Sequence, residues 1–368
     1  MILLRRQHLW LAVAILAILF IIMLRSQLSM TSKYGELFGK KSDCINDATL
    51  QKIINMFANA SKQSISYVDV DRNVLKGTGK KIKDKEIQQS MSDVDLSLDI
   101  VVQRLKGKWV TESDVCTTNE TLRVAKLKMK GKETPIYIYN VGEDVYISDN
   151  VARSGQWEGG LVGWVLNQLE KDREAVFVDI GANIGVFSLT AAMFGRHVVS
   201  VDPVRKNVQR LCRSIMDGEG FKGRVNVVYN ALSDSRGTVQ LGTYKGNVGG
   251  TFVKELTDQK QPKDETLETA YTVLLDDLLE IFKFKKVVMK IDVESFENKV
   301  LAGGKLFFEK VNVLALTMEW STHRKRTTGK DIIDFLVPQG LKPLTPGGKN
   351  LETNNYANWP DNVLWVKS

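Results

Sequence analysis

The residues Val176-Phe177-Val178-Asp179-Ile180-Gly181-Ala182-Asn183-Ile184-Gly185 run from an apolar strand into D-x-G-x-N-x-G and then a helix-forming stretch. Gly181 and Gly185 permit positive φ and let a ligand approach the backbone, and the amides opening the next helix face a polar ligand group. Asn183 between them is expected to order the loop, the alternative being that it only satisfies backbone amides of the turn. The acid at the strand end, Asp179, suits a ligand that carries positive charge. In the next strand HVVSVDP brings Asp202, about 20 residues on, to a position where a carboxylate accepts two ribose hydroxyl bonds. A nicotinamide dinucleotide loop would read G-x-G-x-x-G, which this spacing does not match.

A second group, KIDVESFE, holds Lys290, Asp292, Glu294 and Glu297. In an extended segment residues 290, 292 and 294 share one face, so an amine and two carboxylates converge, with Asp292 or Glu294 able to take a proton from an acceptor. The competing structural reading is a strand-end ion pair made by Lys290. His323 is the next candidate base. No His or further acid nearby completes a ligand set, so no metal is expected.

Such residues need strands whose ends meet. After Trp157 apolar strands alternate with helices, which predicts a doubly wound α/β sheet. AVFVDIG, HVVSVD, VNVVYNAL, KVVMKIDV and NVLALTMEW are five strand candidates, and GLKPLT and NVLWVKS bring the sheet to seven. Upstream, LRVAKLKMK, PIYIYN and DVYISD alternate with period two and predict antiparallel strands, while Asp47–Phe57 and Asp93–Leu105 read as amphipathic helices. Residues 245–270 are long, polar and Gly-rich, and read as a mobile lid over the acceptor.

The sequence resembles the FkbM family of methyltransferases, in a membrane-anchored, animal-type form. Four ordered blocks carry the resemblance: VDIGANIGVFSL, VVSVDPVRKNVQRL, VYNALSDSRGTVQL and VVMKIDVESFENKVLAGG. It implies a class I methyltransferase fold over residues 155–368, with the last of seven strands antiparallel, and S-adenosylmethionine as cofactor. Asp179, Gly181, Asn183, Gly185 and Asp202 would then face the cofactor, with Asn230, Ala231 and Leu232 at its adenine. Asp202 stands where the family commonly has Glu, and Ser295 where it commonly has Gly. The implied reaction is O-methylation of a glycan or secreted small molecule. N-methylation of a protein or amine, and a non-catalytic scaffold on the same fold, are the alternatives.

Leu9–Leu24 is unbroken apolar sequence between basic flanks, roughly 24 Å long as a helix, and reads as a signal anchor rather than a cleaved peptide. The expected order is a cytoplasmic tail 1–8, an anchor 9–24, a stem 25–121, an antiparallel extension 122–154 and the catalytic domain. Sequons at Asn59 and Asn119 lie beyond the anchor and predict a type II protein of the Golgi or ER, its bulk lumenal. The bilayer is then one partner and the methyl acceptor another. Cys44 and Cys116 are the expected disulfide pair, with Cys212 a buried helical thiol. Formal charge is +8, but the basic residues are scattered and not interleaved with stacking aromatics, so no nucleic acid is expected.

Overall fold

The computed structural model describes residues 101–244, 247–254 and 268–368. The apolar run 9–24, the tail before it, the stem as far as residue 100, Cys44, the helix expected over Asp47–Phe57 and the Asn59 sequon lie outside the described residues. Among the described residues no helix is long and apolar enough to cross a membrane.

The described residues open with two hairpins, β1 (Val101–Leu105) with β2 (Lys108–Thr111) and β3 (Arg123–Met129) with β4 (Lys132–Ile138), followed by helices α1 (Ile147–Ser154) and α2 (Gly159–Lys171). Alternation begins with β5 (Val176–Ile180), α3 (Val186–Met193), β6 (Val198–Val201), α4 (Arg205–Asp217) and β7 (Val225–Val228). A side sheet follows, made of β8 (Ala231–Leu232), β9 (Gly237–Tyr244), β10 (Asn247–Lys254) and β11 (Glu268–Val273). Alternation then resumes through β12 (Lys286–Ile291), α5 (Glu297–Ala302), α6 (Lys305–Lys310), β13 (Asn312–Glu319), α7 (Thr327–Leu336), β14 (Leu341–Leu344) and β15 (Asn362–Lys367).

The main sheet runs β14-β15-β13-β12-β5-β6-β7-β1-β2. Strands β5, β6, β7, β12 and β13 are parallel, and β15 runs against both its neighbours. The seven strands expected from the sequence are its β14-to-β7 portion. Strands β5, β6 and β7 are buried along their whole length and mostly apolar because both sheet faces are covered. Val176, Val178 and Ile180 of β5 join one core, which also takes in residues of α5, α6 and α7, while Phe177 joins the other, with residues of α2, α3 and α4. The chain winds one way from β5 to β7 and the other from β12 to β13. The crevice beyond the carboxyl ends of β5 and β12 is therefore the switch point where such sheets hold ligands.

Four local expectations are corrected. Residues 101–105, the end of the segment read as a helix over Asp93–Leu105, form β1, since Val101 and Val102 bury against β7, to which the strand adds in parallel. Residues given to the stem thus extend the sheet. DVYISD is not a strand: the Asp144 carboxylate accepts from the Ile147 and Ser148 amides and the Ser148 hydroxyl, starting α1. Within residues 245–270 the stretch Asn247–Lys254 is not loop but β10, paired antiparallel with β9 despite its glycines, while residues 245, 246 and 255–267 of the expected lid lie outside the described residues. Finally Cys212 is no free thiol. It forms a disulfide with Cys116, Cα atoms 5.5 Å apart, because α4 packs on the turn Ser113–Cys116.

Candidate active site

At the end of β5, Gly181 takes φ 78°, and a Cβ there would lie 1.8 Å from the Asp292 carbonyl oxygen, so the turns after β5 and β12 meet without room for a side chain. Gly185, φ 91°, opens α3 against Leu211, whose Cδ1 a Cβ would approach to 2.4 Å. Asn183 between them is also left-handed, φ 52°. Its side-chain oxygen accepts from the Ile184 amide at 2.7 Å, and its own amide donates to Asp202 Oδ2 at 2.8 Å. Asp202 Oδ1 accepts from the Val204 amide and from Asn207. These bonds favour the charged form, yet burial prevails and pushes the Asp202 carboxyl up to about 7. Oδ1 thus has both its acceptor sites filled, while Oδ2, with one donor, keeps a lone pair for a ligand.

The opposite wall is the end of β12. Lys290 is buried, its Nζ 3.1 Å from Asp292 Oδ2, 3.9 Å from Asp179 Oδ1, donating to the Gly181 carbonyl and lying 5.2 Å from the Phe187 ring centre. Burial would lower its pKa, but Asp292, Asp179 and Glu158 outweigh burial and raise it, so it is a fixed cation. The next turn is strained, with Glu294 and Ser295 at φ 54° and 79°. Its support lies beneath. Glu297, fully buried, accepts from the Val293 amide at 2.9 Å and pairs with His323 Nε2 at 2.8 Å, while His323 Nδ1 meets Thr328 at 2.8 Å.

These two walls enclose one cavity of about 250 Å³. Of the residues read from sequence, Gly181, Asn183, Asp202, Ala231 and Leu232 line one half, and Lys290, Asp292 and Glu294 line the other. Asp179, Gly185, Glu297 and His323 are not part of the lining. Asp179 lies in the floor behind Lys290, where its Oδ2 accepts from Ser188 and its Oδ1 has no hydrogen-bond donor. His323, 1% exposed, is held by Glu297 and Thr328 and offers no free nitrogen to an acceptor. Asn230 borders the cavity, but its amide is used by the backbone of Arg104 and Tyr271.

Sequence reasoning missed Glu158, Glu319 and Asn362, which line the cavity together with Trp157. Glu319 had a signal: it ends β13 one residue beyond the Ile291–Met318 pair, beside Asp292. Glu158 had none, since it precedes α2 in a turn at φ 47°. Burial and then Asp292 push Glu158 up to about 7, and burial with Asp292, Glu319 and Glu297 does the same to Glu294. Glu319 is raised too, burial first. The cavity therefore combines a carboxylate with an acceptor site left on Oδ2, a glycine turn open to close approach, and carboxyls that give and take protons near neutrality.

Among solved structures the chain is similar to methyltransferase FkbM from Methylobacillus flagellatus KT, with 21% identity and TM-score 0.35 over 52% of this chain and 43% of that one. The chain thus covers less than half of that protein. It is also similar to an O-methyltransferase from Bacillus cereus in complex with SAH (12% identity, 62% and 92% of the two chains, TM-score 0.36). A third is magnesium protoporphyrin IX methyltransferase from Synechocystis PCC 6803 with bound SAM (13%, 57% and 77%, 0.32). No curated protein matches the chain. Residues 179–342 match the family model described as "Methyltransferase FkbM domain", and the match spans both walls of the cavity. The chain carries a methyltransferase FkbM domain.

Proposed function

We propose that this chain transfers methyl from S-adenosylmethionine to an oxygen of a glycan or secreted small molecule, in the lumen of the ER or Golgi. The observation that carries this reading is the single cavity joining Asp202 and the Gly181 turn to Lys290, Asp292 and Glu294 at the carboxyl ends of β5, β6 and β12. The residues fit the cofactor. Asp202 Oδ2 keeps a lone pair for a ribose hydroxyl, Gly181 admits a ligand to the backbone, and Ala231 and Leu232 offer an apolar strip to a base. When bound, the cofactor supplies an electrophilic methyl group. The protein's own part is to orient the acceptor and to hold its proton on Asp292 or Glu294, while Lys290 fixes Asp292 and ties the β12 turn to the Gly181 carbonyl.

The lumenal placement is supported by the apolar run 9–24, by the Cys116–Cys212 disulfide, and by the exposed bend that carries the Asn119 sequon. Mass spectrometry of secretory-pathway glycans incubated with the protein and cofactor tests the activity, with a one-methyl gain expected. Protease digestion of sealed microsomes tests the topology. Loss of the C-terminal domain from intact vesicles, with no glycosidase-sensitive shift, would contradict it.

A further inference from the structure

Four separate segments converge on the acceptor end of the cavity. They are the turn before α2 with Trp157 and Glu158, the turn after β12 with Asp292 and Glu294, the end of β13 with Glu319, and the start of β15 with Asn362. Among the described residues Lys290 is the sole cation lining the cavity, and Asp292 already holds it at 3.1 Å. Resting on the methyltransferase reading above, we propose that the acceptor is an uncharged sugar ring, seated on Trp157, its hydroxyls bonded to Glu158, Glu294, Glu319 and Asn362.

Each alternative class meets a specific obstacle here. An acidic sugar, with a carboxylate or sulfate on the ring, meets three carboxyl side chains and, among the described residues, no unengaged cation, and like-charge contacts of that kind are strongly disfavoured. An amine is attracted, but carboxylates around it hold it as an ammonium ion, whose nitrogen has no lone pair to take the methyl group. A neutral hydroxyl suffers neither problem. Its oxygen bonds to the methyl carbon as the carbon–sulfur bond of the donor breaks, the electron pair staying on sulfur, and the hydroxyl proton passes to Glu294 or Asp292. Carboxyls raised towards neutrality suit hydroxyls twice over, since the protonated form donates and the ionised form accepts. The half-buried indole of Trp157 offers an apolar face to the ring's C–H edges. This acidic mouth lies on a chain of net charge +8, so overall charge misleads about the acceptor.

The test uses full-length protein, S-adenosylmethionine and p-nitrophenyl glycosides of glucose, galactose and mannose, each in neutral, uronate and 6-amino-6-deoxy form. Methylated product is measured by mass spectrometry, and cofactor binding is measured separately by calorimetry. At least one neutral glycoside should be methylated with kcat/KM roughly tenfold or more above its uronate and amino counterparts. In Glu158→Gln and Glu319→Gln the margin over the uronate should narrow. Equal or better transfer to a charged form overturns the assignment, as does transfer to none of the nine while the cofactor binds. Absence of cofactor binding would instead strike the methyltransferase reading itself.

Discussion

At the scale of single residues, Asp202 does more than the sequence lets one see. The spacing from the Gly181 loop is the ground on which we propose it as a ribose acceptor, but its three bonds to the Asn183 amide, the Val204 amide and Asn207 appear only once β6 and α4 are in place. Asp202→Ala should therefore weaken cofactor binding by roughly 1.5 to 3 kcal/mol in calorimetry and also lower the denaturation midpoint, because buried donors lose their partner. A pH effect follows from Glu158 and Glu294, whose carboxyls move from 4.5 to about 7 on folding. The folded state then binds these protons more tightly than the unfolded chain, so this source of stability is full below about pH 4.5 and is lost as pH rises to about 7. Ligand-free protein should melt lower at about pH 7.5 than at about pH 5.5, and Glu158→Gln and Glu294→Gln should each flatten that slope. Turnover should run the other way, rising through about pH 7 as the base ionises. A melting temperature that climbs over that interval, with the slope kept in both variants, would show these groups to be ordinary.

Among the elements, the parallel strands were legible because they are buried on both faces and read as apolar runs, and the strand ends β5, β6 and β12 carried the site with them. What the sequence could not display was support from a distance. Glu297 lies in the same short segment as Asp292 and looks like its peer, yet the first turn of α5 swings it under the chain to His323. Glu158 reaches the cavity from a turn that has no strand signal. Residues 101–105 were equally opaque, because their parallel partner, β7, comes more than a hundred residues later. The turn after β12 yields a further prediction. Ser295 at φ 79° sits where glycine is conformationally free. Relief of left-handed strain exceeds the added chain entropy of glycine, so Ser295→Gly should stabilise the protein by about 0.5 to 1 kcal/mol in denaturant titration. In contrast, Gly181→Ala forces a Cβ onto the Asp292 carbonyl and should cost about 3 kcal/mol.

For the molecule as a whole, the two walls belong to opposite halves of a doubly wound sheet, and only the switch point brings them together. Residues outside the methyltransferase FkbM domain also brace that arrangement. β1 extends the sheet beyond β7, and the Cys116–Cys212 bond fastens the turn after β2 to α4, the helix that follows Asp202. The sequence paired Cys116 with Cys44 because chain order put both before the domain, whereas proximity follows from packing. Cys116→Ser should lower stability by about 2 to 4 kcal/mol under non-reducing conditions, and a reducing agent should produce the same loss in the wild type but none in the variant. The central claim is that one cavity holds the cofactor on one wall and performs proton transfer on the other. The most direct measurement is S-adenosylmethionine affinity and methyl-transfer rate, taken together on wild type, Asp202→Ala, Asp292→Asn and Glu294→Gln. The account predicts that Asp202→Ala loses affinity, while at least one amide variant keeps affinity and loses roughly 10² to 10⁴ in turnover. Wild-type affinity in Asp202→Ala, with near wild-type turnover in both amide variants, would contradict it.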